Sequence, residues 1–213
     1  MNQTITVYQG KRPGGTPPSF LGEDAAKKVR AFHRSLEEYC ETPLVSLDSM
    51  AKRLGVGGIY VKDESKRFGL NAFKALGASY AVHELLSAQY GQNAENAGGA
   101  AGMNAGSAAG TAADTVHRVE AIAAIGETKV TVTDWNYDDA VRYAWNFAKE
   151  NGYYFVQDTG FDGYTQIPDL IAQGYLTMIG EALEQLAKKG VERPTHVFLQ
   201  AGVGATGGGG VQM

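Results

Sequence analysis

Lys62-Asp63-Glu64-Ser65-Lys66-Arg67-Phe68-Gly69-Leu70-Asn71-Ala72-Phe73-Lys74-Ala75-Leu76-Gly77-Ala78-Ser79-Tyr80 is the stretch on which the fold turns. A short β-rich run, Ile59-Tyr60-Val61-Lys62, leads into it after the Gly57-Gly58 punctuation, and a polar loop covers Asp63 to Asn71. Beyond the loop, Leu76, Tyr80, His83 and Leu86 recur at spacings of three and four, which predicts a helix from about Ala72 to Ala88. The unit is therefore strand, loop, helix.

Moving outward, the same alternation recurs. Upstream, Ala26, Val29, Ala31, Phe32 and Leu36 predict a helix over Glu23 to Tyr39, stopped by Thr42-Pro43 because proline lacks an N–H and biases its predecessor away from helix. The first twenty residues, with Pro13, Gly14, Gly15, Pro17 and Pro18, read as an irregular arm. Downstream, Thr115 to Ile125 is helix-like and Lys129 to Val132 strand-like. Asp138 to Glu150 is a helix with Ala140, Val141, Ala144 and Phe147 inward, and Tyr153 to Val156 a strand. Pro168 to Lys189 is a long amphipathic helix with proline in its first turn, and His196 to Leu199 a last strand. Strands alternating with helices of this length predict an α/β fold, a parallel sheet flanked by helices, with ligands bound beyond the carboxyl ends of the strands. One segment departs from the pattern: from Ala94 to Ala113, 14 of 20 residues are Ala or Gly, too little apolar bulk to pack on a sheet.

Composition narrows the function classes. With 213 residues, 44% hydrophobic and 20% charged, the chain can bury a core. A net charge of −4 with interspersed signs offers no basic stripe for nucleic acid or an anionic membrane, and no run approaches the roughly 20 apolar residues of a membrane span. The single cysteine, Cys40, has no internal disulfide partner and no metal-ligand spacing around it, which fits a reducing compartment. The amino terminus lacks the basic-then-apolar order of a signal peptide, so the expected location is cytoplasmic.

Two constellations could carry chemistry. The strand Thr195 to Leu199 runs into Gln200-Ala201-Gly202-Val203-Gly204-Ala205-Thr206-Gly207-Gly208-Gly209-Gly210, where backbone N–H groups can converge on a phosphate; a bare glycine-rich segment without a ligand is the alternative. Gly202 to Gly207 also satisfies the dinucleotide fingerprint, but the acidic residue expected about 20 positions on has no place in the sequence, so a nicotinamide oxidoreductase ranks low. The second constellation is Lys74, near a helix start among Phe73, Leu76 and Ala78. An apolar surround and the positive helix end would make its amine nucleophilic, whereas a solvated helix lysine is the bland alternative.

The run Arg67 to Lys74 closely resembles the cofactor-lysine motif of diaminopropionate ammonia-lyases, pyridoxal-phosphate (PLP) enzymes of the tryptophan-synthase-β-like class, fold type II. Three further segments resemble that family in the same order. They are Thr133 to Arg142; Val156-Gln157-Asp158-Thr159 with Gly163 to Pro168; and Pro194-Thr195-His196 through Ala205. The resemblance implies PLP held by Lys74, with its phosphate at Gly202, Val203, Gly204, Ala205 and Gly207, and α,β-elimination of 2,3-diaminopropionate to pyruvate and ammonia. It implies a small amino-acid substrate and a homodimer. Asp158 matches an acidic position near the family's active site, which implies a group that handles a proton or the substrate's amino group, while a strand-end cap is its structural alternative. The implied organisation is an arm plus part of a large PLP domain over 1–72, a small α/β domain over 73–152, and a large-domain segment over 153–213 ending at the phosphate loop. The family's Asp-Gly-Asn-His-Gly motif, expected where the Ala/Gly tract stands, is missing, and no Asn-His pair occurs in the sequence. The expectation is thus an incomplete or edited member, with a serine/threonine dehydratase-like lyase or an inactive α/β fragment as alternatives.

Overall fold

The computed structural model describes residues 18–69, 72–90 and 130–200. Helix α1, Glu23–Ser35, follows a 3-10 turn at Ser19–Leu21 and opens on Glu23 and Asp24, charges that suit the positive helix end. It ends four residues before the expected Tyr39, because Leu36 turns extended and carries Tyr39 toward the interior, where its hydroxyl reaches Glu181. Strand β1 (Leu44–Ser46), helix α2 (Asp48–Leu54) and strand β2 (Tyr60–Lys62) follow. Gly55 ends α2 at φ 67°, a left-handed cap that costs glycine little. The two strands pair antiparallel, Val45 opposite Val61. Neither β1 nor α2 was expected from the sequence, since each is too short to show a period.

Helix α3, Lys74–Tyr90, begins with Lys74 itself. Helix α4, Tyr137–Asn151, is closed at both ends: Asn136 accepts from the Asp139 amide at 2.9 Å, and Gly152 caps it at φ 69°. Of the four residues expected inward, Val141 and Ala144 pack on the core, and Phe147 does not. Ala148 is buried with Phe155 and Tyr164, backed by Val141, Ala144 and Trp145, while Phe147 is exposed. The long helix expected over Pro168 to Lys189 is two helices, α5 (Gln166–Gly174) and α6 (Leu176–Lys188), parted at the buried Tyr175.

A close crossing lies beside the break. A Cβ on Gly174 would lie 2.5 Å from the Leu76 carbonyl and 2.6 Å from Gly77 Cα, and one on Gly77 would lie 2.6 Å from Ile171 Cγ2. Helices α3 and α5 therefore touch backbone to backbone, and Leu76, Ala81, Ile171, Tyr175 and Met178 form the core around the contact. The segment 153–156 and the segment 196–199, both expected as strands, carry no ladder among the described residues, and Phe198 is 91% exposed. The expected parallel sheet is likewise not formed among them: the described ladder is the antiparallel β1–β2 pair. A strand needs a neighbour for its N–H and C=O groups, and apolar alternation in one segment does not supply that neighbour. Among the described residues, no helix is long and apolar enough to cross a membrane.

Candidate active site

Lys74 stands at the first residue of α3, and its Nζ donates to Asp158 Oδ2 at 2.6 Å. The two sequence-selected residues, 84 positions apart, are thus brought into one charge-assisted contact. The surround differs from the expected one. The Lys74 side chain is 44% exposed and salt-bridged rather than enclosed by apolar groups, whereas Asp158 is 14% exposed. Phe73 explains the difference: its ring turns away into the core and meets Tyr175 edge-on at 5.2 Å, so it anchors the helix start instead of covering the amine.

Asp158 is held by a rigid loop. The Tyr164 hydroxyl donates to the Phe155 carbonyl at 2.9 Å and accepts from the Gln157 amide at 2.9 Å, while Gln157 Oε1 accepts from the Thr159 amide at 2.9 Å. Burial, reinforced by the Asp158 charge, pushes the Tyr164 phenol up to about 12 against the opposing hydrogen bond from the Gln157 amide; burial and Asp158 push the Tyr175 phenol up as well. Both phenols stay neutral. Next to Asp158, the buried Thr159 hydroxyl has no hydrogen-bond partner among the described residues.

Leu76 ties the lysine's first turn to two other helices. His33, fully buried on α1, bonds the Leu76 carbonyl through Nε2 at 3.0 Å and the Thr177 hydroxyl of α6 through Nδ1 at 2.7 Å. Sequence reasoning missed His33, and it missed the buried partners Arg67 and Glu181. Glu181 had a signal: it lies on the apolar face of α6 between Met178 and Ala182, where an unpaired carboxylate would not be tolerated. Asn71 and the glycine loop residues Gly202, Val203, Gly204, Ala205 and Gly207 lie outside the described residues.

With that geometry in place, residues 36–212 match the family model described as pyridoxal-phosphate dependent enzyme. The chain belongs to that family. It is 43% identical to the diaminopropionate ammonia-lyase of Escherichia coli (strain K12) over 234 residues, covering 96% of this chain and 58% of that protein. It is 39% identical to the diaminopropionate ammonia-lyase of Salmonella typhimurium (strain LT2), covering 91% and 56%. Among solved structures, the apo form of the E. coli enzyme superposes with a TM-score of 0.79 at 41% identity, covering 92% of this chain and 61% of that one. The E. coli enzyme in complex with an aminoacrylate-PLP azomethine reaction intermediate gives 0.80, also at 41% identity, with 92% and 56% covered. The fold is therefore that of a fold type II PLP enzyme, as the sequence resemblance implied. The chain spans under two thirds of the length of these relatives, and the matched span of the E. coli protein is longer than this whole chain.

The family's cofactor, PLP, can be tested against the residues present. An aldehyde needs a reachable primary amine, which the half-exposed Lys74 offers. A polar cofactor or substrate needs unused donors, and among the described residues the Thr159 hydroxyl is one. These residues fit the group.

Proposed function

We propose that the chain is catalytic machinery of a PLP-dependent ammonia-lyase that converts 2,3-diaminopropionate to pyruvate and ammonia. The observation that carries the reading is the 2.6 Å contact between Lys74 and Asp158, in a chain 43% identical to a diaminopropionate ammonia-lyase. Lys74 would hold the cofactor, and its amine would be placed to take the Cα proton of the substrate. Bound PLP supplies an electron sink that stabilises negative charge at Cα while the β-amino group leaves.

Asp158 orients Nζ and can exchange a proton with it, because Oδ2 already accepts from that atom. Its loop, pinned by Tyr164 and Gln157, keeps the carboxylate from swinging away during turnover. Gly202, Val203, Gly204, Ala205 and Gly207 hold the cofactor phosphate through backbone N–H groups. The reading includes the division into 1–72, 73–152 and 153–213, a homodimeric assembly, and a reducing, cytoplasmic location that suits the free, exposed thiol of Cys40.

The test is direct. Purified protein with PLP is given D- or L-2,3-diaminopropionate, serine or threonine, and pyruvate, 2-oxobutyrate and ammonia are measured. Pyruvate formed fastest from diaminopropionate supports the reading. Faster turnover of serine or threonine replaces it with a dehydratase-like lyase, and no turnover of any of them leaves the inactive fragment.

A further inference from the structure

Four charged side chains meet in the interior beside the loop that leads to Lys74. Arg67, fully buried, donates Nε and Nη2 to the two oxygens of Glu64 at 2.8 Å each. On its other side Nη1 and Nη2 reach the two oxygens of Glu181 at 2.9 and 2.7 Å, and the Cys40 carbonyl and Thr42 hydroxyl accept at 2.8 and 3.0 Å. Lys62 approaches Glu181 at 2.6 Å, and the Tyr39 hydroxyl donates to it at 2.7 Å. Two cations face two carboxylates, so the cluster is neutral as a whole. Burial pushes the Glu181 carboxyl up, but the bonds from Arg67, Lys62 and Tyr39 outweigh it and hold the group down at about 2.

Such a cluster adds little stability over apolar side chains of equal volume, because desolvation offsets the attraction. What it supplies is orientation, since a planar guanidinium clamped by carboxylates on two edges has one permitted pose. The neighbouring backbone needs that restraint. Phe68 has φ 50° and ψ 24°, the sole non-glycine with positive φ among the described residues, and Gly69 follows at φ 68°. A bulky residue in the left-handed region is held there from outside. Arg67 holds it on one side; on the other the Phe68 ring lies 6.2 Å from His33 and 6.4 Å from Tyr39 and packs on the Leu76–Ile171 core.

We propose that Arg67, acting through Glu64 and Glu181, is a positioning residue for Lys74: it holds the left-handed turn at 68–69 and so sets where α3 begins and where Nζ stands against Asp158. The inference rests on the reading of Lys74 as the PLP-bearing lysine. It is tested by incubating the protein with PLP, reducing with borohydride, and measuring by peptide mass spectrometry the fraction of Lys74 carrying the pyridoxyl group across a pH series. The variant R67M/E181L swaps a charge pair for apolar side chains of similar size and removes one charge of each sign, so the net charge is kept.

Its thermal midpoint is expected within a few degrees of the parent, while Lys74 labelling slows about tenfold or more and its pH profile changes. R67K, which keeps the charge but offers no fork, is expected between the two. Parent-like labelling and pH profile in folded R67M/E181L, or in R67K, would overturn the proposal, as would a loss of labelling that only tracks the unfolded fraction. If the parent itself forms no adduct on Lys74, the reading of Lys74 falls first and this inference with it, an outcome separate from parent-like labelling of the variants.

Discussion

Replacing Gly174 by alanine puts a methyl group where the structure has no room for one. The new Cβ would lie 2.5 Å from the Leu76 carbonyl oxygen, 2.6 Å from Gly77 Cα and 2.9 Å from Gly77 N. Carbon atoms in contact prefer about 3.5–4.0 Å, so each approach is short by up to roughly 1 Å. All three obstacles are backbone atoms of α3, and none can rotate aside as a side chain would. The helices α3 and α5 must separate, at a cost of about 1–3 kcal/mol for overpacking. The gain in helix propensity, at most about 1 kcal/mol, is reduced because Gly174 is the last residue of α5. A net loss of about 2 kcal/mol corresponds to a thermal midpoint lowered by about 4–8 °C in a chain of this size. The struck carbonyl is also the one bonded by His33, and it lies two residues from Lys74, so the Lys74–Asp158 contact should loosen and borohydride-trapped PLP on Lys74 should fall about tenfold or more. Gly180 supplies the control: it sits inside α6, and a Cβ there would meet Arg30 Nη1 at an ordinary 3.8 Å. G180A should be neutral or more stable by up to about 1 kcal/mol. Thermal unfolding followed by circular dichroism reads both. A G174A protein melting at or above the parent, or a G180A protein destabilised as much as G174A, would refute the crossing as the constraint.

Other expectations concern charge. Lys74→Ala should abolish the borohydride-trapped PLP adduct at that site while changing the melting temperature little, because its salt bridge is part-exposed; an undiminished adduct elsewhere would name a different lysine. Asp158→Asn removes the carboxylate but not the shape, so stability should change by no more than about 1 kcal/mol while pyruvate release falls about 100-fold or more, read by steady-state kinetics on diaminopropionate. Burial lowers the His33 imidazole from 6.5 to about 4, beyond what its bond to Leu76 restores. The folded pKa is depressed, so this stability is fully present above pH 6.5 and is lost as pH falls toward 4, by about 3 kcal/mol in total. Between pH 6.5 and 4.5 the loss belongs to His33, since the Glu181 contribution, with its carboxyl held at about 2, begins to fade only below 4.5. Urea titrations across that window should show the slope in the parent and a flatter line in His33→Gln.

The sequence alone set the longer helices and nominated Lys74 and Asp158 as the candidate pair. Period-3.6 runs located α1, α3, α4 and the α5–α6 region to within a few residues, because each buries one face over three turns or more. Lys74 and Asp158 were legible because a motif of consecutive residues carries them. Short elements were not legible: three residues of β1 and seven of α2 hold too few turns to reveal a period.

What tertiary structure decided is everything that depends on two distant segments meeting. Position 174 must be glycine because Gly77 lies against it, Phe73 packs inward against Tyr175, and Glu181 is tolerated on an apolar face because Lys62 of β2 and Arg67 of the following loop, more than a hundred residues earlier, reach it. Propensity and spacing are properties of a segment, whereas close approach, ion pairing and ladder formation are properties of pairs of segments. A one-dimensional pattern can nominate the members of such a pair, but only the packed chain brings their atoms within bonding distance.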